Sequence, residues 1–321
     1  MMKNILFLSA GRRVELIEAF RAEIKSKGVD ISLFATELNP SLSPACQVVD
    51  HAVKAPRVTD PSYLDFVLDV CRRNNIGLVI PTIDTELILL SKNRQRFSVE
   101  GIELVVSSED FVFSCRDKRI TSSLFEKLGI DTPRIFSRGL IEFPCFAKPY
   151  DGSCSVGASL IENEGKLSSA LLNDEKMMFM EYIDSSFNEY TIDAYYARNG
   201  GLKCIVPRQR VEVRAGEISK GVTRKNFVYD YLLPKMANLE GARGCITLQL
   251  FANEALGKFA ALEINPRFGG GFPLSYSAGA NYPGWLIDEY ILGKEVPFFD
   301  AWEDRLLMLR YDAKVLVHGY E

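Results

Sequence analysis

Residues 245–272 read CITLQLFANEALGKFAALEINPRFGGGF, and the polar side chains in this stretch fall at spacings that could hold a metal ion and a phosphate. Residues 245–252 and 258–265 alternate like two half-buried strands, and 253–257 supply a turn between them. Side chains two apart on a strand share a face. Thr247 and Gln249 therefore lie on one face of the first strand. Glu263 and Asn265 lie on one face of the second, with Leu262 and Ile264 opposite. Pairing with polar faces matched brings a carboxylate, two amides and a hydroxyl together. Pro266 has no N–H to donate and ends the ladder. Arg267 follows, and Gly269, Gly270 and Gly271 form a loop whose backbone can approach a ligand closely.

Hard oxygen donors of this kind suit Mg²⁺ (or Mn²⁺), which takes one or two protein ligands and fills its shell with water and phosphate. Glu263 and Asn265 fit that role, with Gln249 as their neighbour. Arg267 can grip a phosphoryl or carboxylate group with two N–H donors. The competing reading is a hairpin with a solvated polar face, which is routine on antiparallel sheets. Pro-Arg-Phe followed by three glycines favours function.

Several elements must position these residues. The 321 residues suffice for two or three packed units, at ~100–200 residues per domain. The first third alternates strands at 5–8, 31–35, 78–80 and 103–106 with helices at 14–27, 63–74 and 86–97. That alternation predicts a doubly wound parallel sheet. Ser9-Ala10-Gly11-Arg12-Arg13 and Pro81-Thr82-Ile83-Asp84-Thr85-Glu86 follow strands, at the ends where such sheets bind ligands. The first is not a G-x-G-x-x-G, which argues against a dinucleotide. For the second, helix capping by Asp84 or Thr85 is the competing reading.

Further along, Asp117-Lys118 opens a helix that Gly129 ends. Residues 143–149 form a strand ending in Lys148, and the small-residue loop 151–157 follows. Such a loop presents backbone N–H groups to phosphate oxygens, although no Walker A pattern occurs in the chain. Glu189, Thr191 and Asp193 share a strand face, and Arg208 and Arg210 share another over 205–213. Those arginines could neutralise phosphates or hold an acidic substrate, whereas Arg214 and Arg224 read as solvated surface. Tyr282-Pro283-Gly284-Trp285 turns into a helix reaching Leu292, and 306–317 reads as an apolar closing strand.

Gln249 followed by Glu263-Ile264-Asn265-Pro266-Arg267 resembles the metal-binding signature of the ATP-grasp superfamily. Within it, the chain is similar to the large subunit of carbamoyl phosphate synthase and its single-module relatives. The markers run in family order from Ser9 to about Val296. The resemblance implies an α/β fold: a pre-ATP-grasp doubly wound parallel sheet over 1–113, then an ATP-grasp domain of two α+β subdomains. The small subdomain, with its phosphate lid, would span 114–180, and the C-terminal subdomain with the metal site 181–321. Lys118 and Lys148 match the family's two phosphate-contacting basic residues, and Gly152 and Ser153 fall in its lid. Glu181, Tyr182 and Ile183 match its adenine-binding hinge, and Glu189 its ribose-binding acid. Gln249, Glu263 and Asn265 would hold Mg²⁺ carrying ATP, and Arg267 with Lys148 would be catalytic.

The chemistry implied is ligation of a carboxylate to an amine, or to a thiol, through an acyl phosphate, with release of ADP and phosphate. The alternatives are an ATP-dependent phosphoryl transferase and an ATP-binding regulatory subunit. There is room for one module rather than the two of the synthase subunit, and Phe-Gly-Gly-Gly-Phe replaces its arginine- and serine-rich continuation. Both departures argue against carbamoyl phosphate as the product. The partners expected are small-molecule carboxylate and amine substrates, with a homodimer as an option. A net charge of −4 gives no case for nucleic acid, and no apolar run approaches the length of a membrane span. Seven cysteines without C-x-x-C spacing read as buried small side chains in a reducing cytoplasm.

Overall fold

The computed structural model describes residues 3–152, 156–214 and 216–320. Its first sheet contains β1 (Asn4–Leu8), β2 (Leu33–Glu37), β3 (His51–Lys54), β4 (Ile76–Pro81) and β5 (Glu103–Leu104). All pair in parallel, in the order β3-β2-β1-β4-β5. The central strands β1 and β4 are apolar and buried along their length, as strands covered on both faces must be. Ile5 and Phe7 pack beneath Leu16, Ile17 and Phe20 of the helix Val14–Lys27. Leu6 and Leu8, on the opposite face, pack against Val67, Leu68, Leu87 and Leu90. The strand order reverses between β1 and β4, so the crevice at their carboxyl ends is the natural ligand position of this sheet.

The second sheet is small. It contains β6 (Ile135–Phe136), β7 (Cys145–Pro149), β8 (Ser159–Ile161) and β9 (Met177–Glu181), in the antiparallel order β6-β9-β7-β8. Its buried core is its own: Cys145, Ala147, Ile161, Met177 and Phe179. The third sheet contains β10 (Asn188–Tyr196), β11 (Leu202–Arg214), β12 (Glu217–Thr223), β13 (Gly244–Asn253), β14 (Lys258–Asn265) and β15 (Leu307–Leu309). Their order is β14-β13-β10-β11-β12-β15, antiparallel throughout. Its core is continuous with that of the first sheet. Phe7 meets Phe20, Phe20 meets Phe268, Phe268 meets Phe272, and Phe272 meets Tyr282, each pair in ring contact.

Four local expectations are corrected. The helix expected over 86–97 is two, Asp84–Lys92 and Arg94–Ser98, because Asn93 leaves helical geometry and its side chain donates to the Leu89 carbonyl. Neither Asp84 nor Thr85 caps it. Glu86 folds back instead, accepting from the backbone N–H of Thr82 and Ile83, from Tyr63 Oη at 2.8 Å and from Ser9 Oγ at 3.1 Å. The apolar segment 306–317 pairs only over Leu307–Leu309, since it lies at a sheet edge with β12 as its one neighbour there. Tyr282-Pro283-Gly284-Trp285 is the first turn of the helix Tyr282–Tyr290 rather than a turn before it, capped by Asn281 through the Gly284 N–H. Among the described residues no helix is long and apolar enough to cross a membrane.

Candidate active site

A cavity of about 470 Å³ lies between the second and third sheets and reaches the first sheet at Asp84. Its floor is the hairpin of β13 and β14. Gln249 sits opposite Glu263, and Thr247 opposite Asn265, so the polar faces match as the alternation requires. Asn265 Nδ2 donates to Glu263 Oε1 at 3.0 Å, which fixes the amide with its oxygen free. Thr247 does not join this donor set. Its hydroxyl lies 2.9 Å from the Arg267 carbonyl and 3.2 Å from Asp193 Oδ1, pinning the chain where it leaves the strand.

The opposite wall supplies cations. Asp117 caps the helix Lys118–Lys127 by accepting from the Arg119 N–H. Lys118, its first residue, then reaches Gly152 O at 2.6 Å and stands 3.6 Å from Glu263 Oε2. Lys148 projects from β7 into the same cavity. Burial, with Lys118 beside it, lowers the Lys148 ammonium to about 8, and Glu263 opposes that shift. Two lysines around one carboxylate leave this region short of negative charge, a shortfall a polyanion would fill.

Arg267 extends from the end of β14 to the first sheet. Its Nη2 lies 2.5 Å from Asp84 Oδ2, and its Nη1 donates to the Phe268 carbonyl at 3.1 Å. Asp84 is the first residue of its helix, at the carboxyl end of β4. Behind Arg267, Arg208 is wholly buried. It forms a two-pronged pair with Asp193 through Nε at 2.8 Å and Nη2 at 3.0 Å, and Ser275 Oγ donates to the same carboxylate at 2.6 Å. Glu189 lines the cavity paired with Arg210. Burial raises the Glu189 carboxyl, and Arg210 opposes that.

The three glycines serve a purpose the spacing did not reveal. A Cβ at Gly269 would stand 3.0 Å from Thr247, one at Gly270 2.1 Å from Glu217 Oε2, and one at Gly271 2.2 Å from Arg208 Nη1. Their hydrogens are needed so that the loop can lie against the protein's own side chains.

Of the residues the sequence singled out, Lys118, Lys148, Gly152, Glu189, Gln249, Glu263, Asn265 and Arg267 converge on the cavity. Glu181, Tyr182 and Ile183 do not line it. Glu181 instead bonds the backbone at Arg134 beside β6 through both its N–H and its carboxylate. Ser153 lies outside the described residues. Asp193, placed by the alternation only on a strand face, anchors Arg208, and Glu217 lies on the cavity wall; nothing local in the sequence distinguishes either from strand surface. Arg13, which feels both Arg267 and Asp84, stood only in the loop Ser9–Arg13 as a whole. Cys115 also lines the cavity, where burial holds its thiol well above the ordinary range and so disfavours the thiolate.

Residues 5–105 match the family described as PylC-like, N-terminal domain, and residues 173–308 that of the ATP-grasp in the biosynthetic pathway with Ter operon. A formate-dependent phosphoribosylglycinamide formyltransferase of Bacteroides thetaiotaomicron is 26% identical over 179 residues, 53% of this chain and 43% of that protein. The match thus spans under half the length of that relative. Biotin carboxylase from Campylobacter jejuni, in its β-γ-ATP complex, superposes with a TM-score of 0.74 at 15% identity, over 96% of this chain and 74% of that one. N5-carboxyaminoimidazole synthetase from Staphylococcus aureus, complexed with ADP, gives 0.70 at 14% identity, over 92% and 78%. L-amino acid ligase from Bacillus licheniformis gives 0.66 at 17% identity, over 90% and 74%. In chain order, then, a stretch matching a PylC-like N-terminal domain precedes a stretch matching an ATP-grasp domain, and the fold is that of the solved ATP-grasp neighbours.

Proposed function

We propose that this protein is an ATP- and Mg²⁺-dependent ligase that activates a carboxylate as an acyl phosphate and passes the acyl group to an amine. The observation that carries the reading is the convergence of Lys118 and Lys148 on the face that presents Gln249, Glu263 and Asn265. Among the described residues no group of three acidic, cysteine or histidine side chains could hold a metal alone. One carboxylate and two amides instead suit a cation that arrives with phosphate. Held by Glu263 and Asn265 with Gln249 beside them, Mg²⁺ would offset charge on the phosphates.

The residues of the chain have distinct tasks in this scheme. Lys118 and Lys148 hold phosphate oxygens. Arg267 faces the transferred phosphoryl group, where a guanidinium acts mostly on charge that develops during transfer. A carboxylate oxygen attacks the γ-phosphorus, the bond from that phosphorus to the bridging oxygen breaks, and ADP leaves. An amine nitrogen then attacks the acyl carbon, phosphate leaves and the nitrogen gives up a proton. Positioning and charge do this work without a side-chain nucleophile. The formate-dependent relative and the amino acid ligase neighbour support a carboxylate as the activated substrate.

A pooled amino-acid and organic-acid screen for ADP release, with hydroxylamine present, tests the reading. Acyl hydroxamate formed with ADP supports a ligase. A phosphorylated product without hydroxamate would overturn it in favour of plain phosphoryl transfer.

A further inference from the structure

The third sheet ends on an edge that this chain leaves open. β15 is its outermost strand, hydrogen-bonded to β12 on one side only. The last backbone bond along it runs from the Arg310 N–H to the Ser219 carbonyl, at 2.9 Å. Among the described residues the backbone of 311–316 makes no hydrogen bond. Its side chains are bare as well: Leu309 is 62% exposed, Tyr311 86% and Leu316 68%. Asp312 pairs with Arg214 in the open, and Lys314 has no partner among the described residues. An unpaired edge that carries apolar side chains is a template for another strand.

The residues of this segment say which strand. Leu309, Tyr311, Ala313, Val315 and Val317 alternate with Arg310, Asp312, Lys314 and Leu316, so one face is apolar and the other mostly charged. Set antiparallel to a second copy, with a two-fold axis through Ala313, the pattern is its own complement. Asp312 falls opposite the second copy's Lys314, and Lys314 opposite its Asp312. Tyr311 falls opposite Val315, and Leu309 opposite Val317, each pair formed twice by the symmetry. Arg310 falls opposite Leu316, which its apolar stem can cover. Directly opposed strand residues share a face, so each of these pairs is a contact, and opposite charges there attract. Moving the axis to Asp312 or to Lys314 sets like charges face to face. Slipping the register by one residue sets the apolar face against the charged one.

We infer that residues 309–317 are a docking edge for a second copy of this chain. They pair antiparallel with the same residues of that copy about Ala313, and the third sheets of the two copies become continuous. Such an interface is isologous, as two-fold pairing requires. The inference stands apart from the ligase reading.

The test is the oligomeric state of the whole chain by sedimentation velocity over a range of concentrations. The parent is expected to dimerise. Asp312→Lys and Lys314→Asp each turn both cross-strand charge pairs repulsive, and each should weaken the dimer by about tenfold or more. Both positions are exposed, so melting temperature should stay near that of the parent. An equimolar mixture of the two variants should recover the dimer, because each copy then presents the charges the other lacks. A parent chain that sediments as a monomer throughout would overturn the inference, whatever the variants do. Single variants that dimerise like the parent would assign the interface to another face and overturn it too. So would a mixture that associates no better than its components.

Discussion

The two walls of the cavity are built to different depths. The third sheet shares one core with the first, running through Phe7, Phe20, Phe268, Phe272 and Tyr282. Its polar residues inherit that rigidity: Arg208 and Asp193 are fully buried and bond each other twice, with Ser275 and Thr247 closing around the carboxylate. The second sheet rests on five buried side chains of its own, with Phe136 and Leu171 among the partly covered residues at its margin. Glu263, Asn265 and Arg267 are therefore set before any ligand arrives. Lys148 is carried by a thinner element that can open at lower cost. Under the proposed function this asymmetry is useful, since the donors on one side stay preorganised while the other side admits the phosphates.

The strongest way to break this contrast is to remove the anchor of the deep wall. Asp193→Ala leaves the Arg208 guanidinium buried without its partner. The expected loss is about 3–5 kcal/mol of stability, read from the denaturant midpoint. A loss below about 1 kcal/mol, the scale of an exposed pair, would show that the wall does not depend on the pair.

Arg267→Ala probes the same wall at the end where Arg267 meets Asp84. The expected outcome is a kcat for ADP release lowered by a factor on the order of 10²–10³ with ATP affinity nearly intact, the scale of losing one preorganised donor. Melting temperature, ATP affinity and rate are measured on one preparation. Stability and ATP affinity falling together would make Arg267 a brace between β14 and Asp84 instead.

The shallower wall should show itself in pH. Burial lowers Lys148 to about 8, so the free folded protein disfavours its charged form. Below pH 8 that penalty is fully present. It is relieved as the pH rises, because the folded side chain is then neutral while the unfolded one stays charged up to about pH 10.4. A bound triphosphate favours the charged form, so nucleotide binding above pH 8 should take up a proton and weaken by about tenfold per pH unit at most. Calorimetry in two buffers of different ionisation enthalpy measures that proton, and Lys148→Met should abolish its uptake. Parent and variant with the same proton uptake would assign it to another group.

Hydrogen exchange gives the smallest and most direct comparison. Amides of β7 and β9 should exchange about tenfold or more faster than those of β13 in the absence of nucleotide, as expected of a sheet with its own small core. Equal protection would mean that the two walls unfold as one unit.

Much of this was legible in the residues. Alternation at 245–252 and 258–265 foretold β13 and β14, and the period of two put Gln249 and Glu263 on facing sides, as the register confirms. The apolar runs of β1 and β4 and the helical period of 14–27 were equally readable. Local signals of this kind arise from the backbone's own periodicity and from burial of one face, so they survive in a single sequence. β3 escaped notice because His51, Ala52 and Lys54 are exposed at an edge and carry no such pattern.

The sequence by itself determined the order of the elements, the polar faces of the hairpin and most of the polar residues that meet in the cavity. Only the tertiary structure decided which charges answer each other across long separations. Arg267 meets Asp84 from 183 residues away, Lys118 approaches Glu263, and the glycine loop is shaped by Thr247, Glu217 and Arg208. Such pairings follow from how three sheets stack around shared cores, and pairing across space leaves no period along the chain for a reader to find.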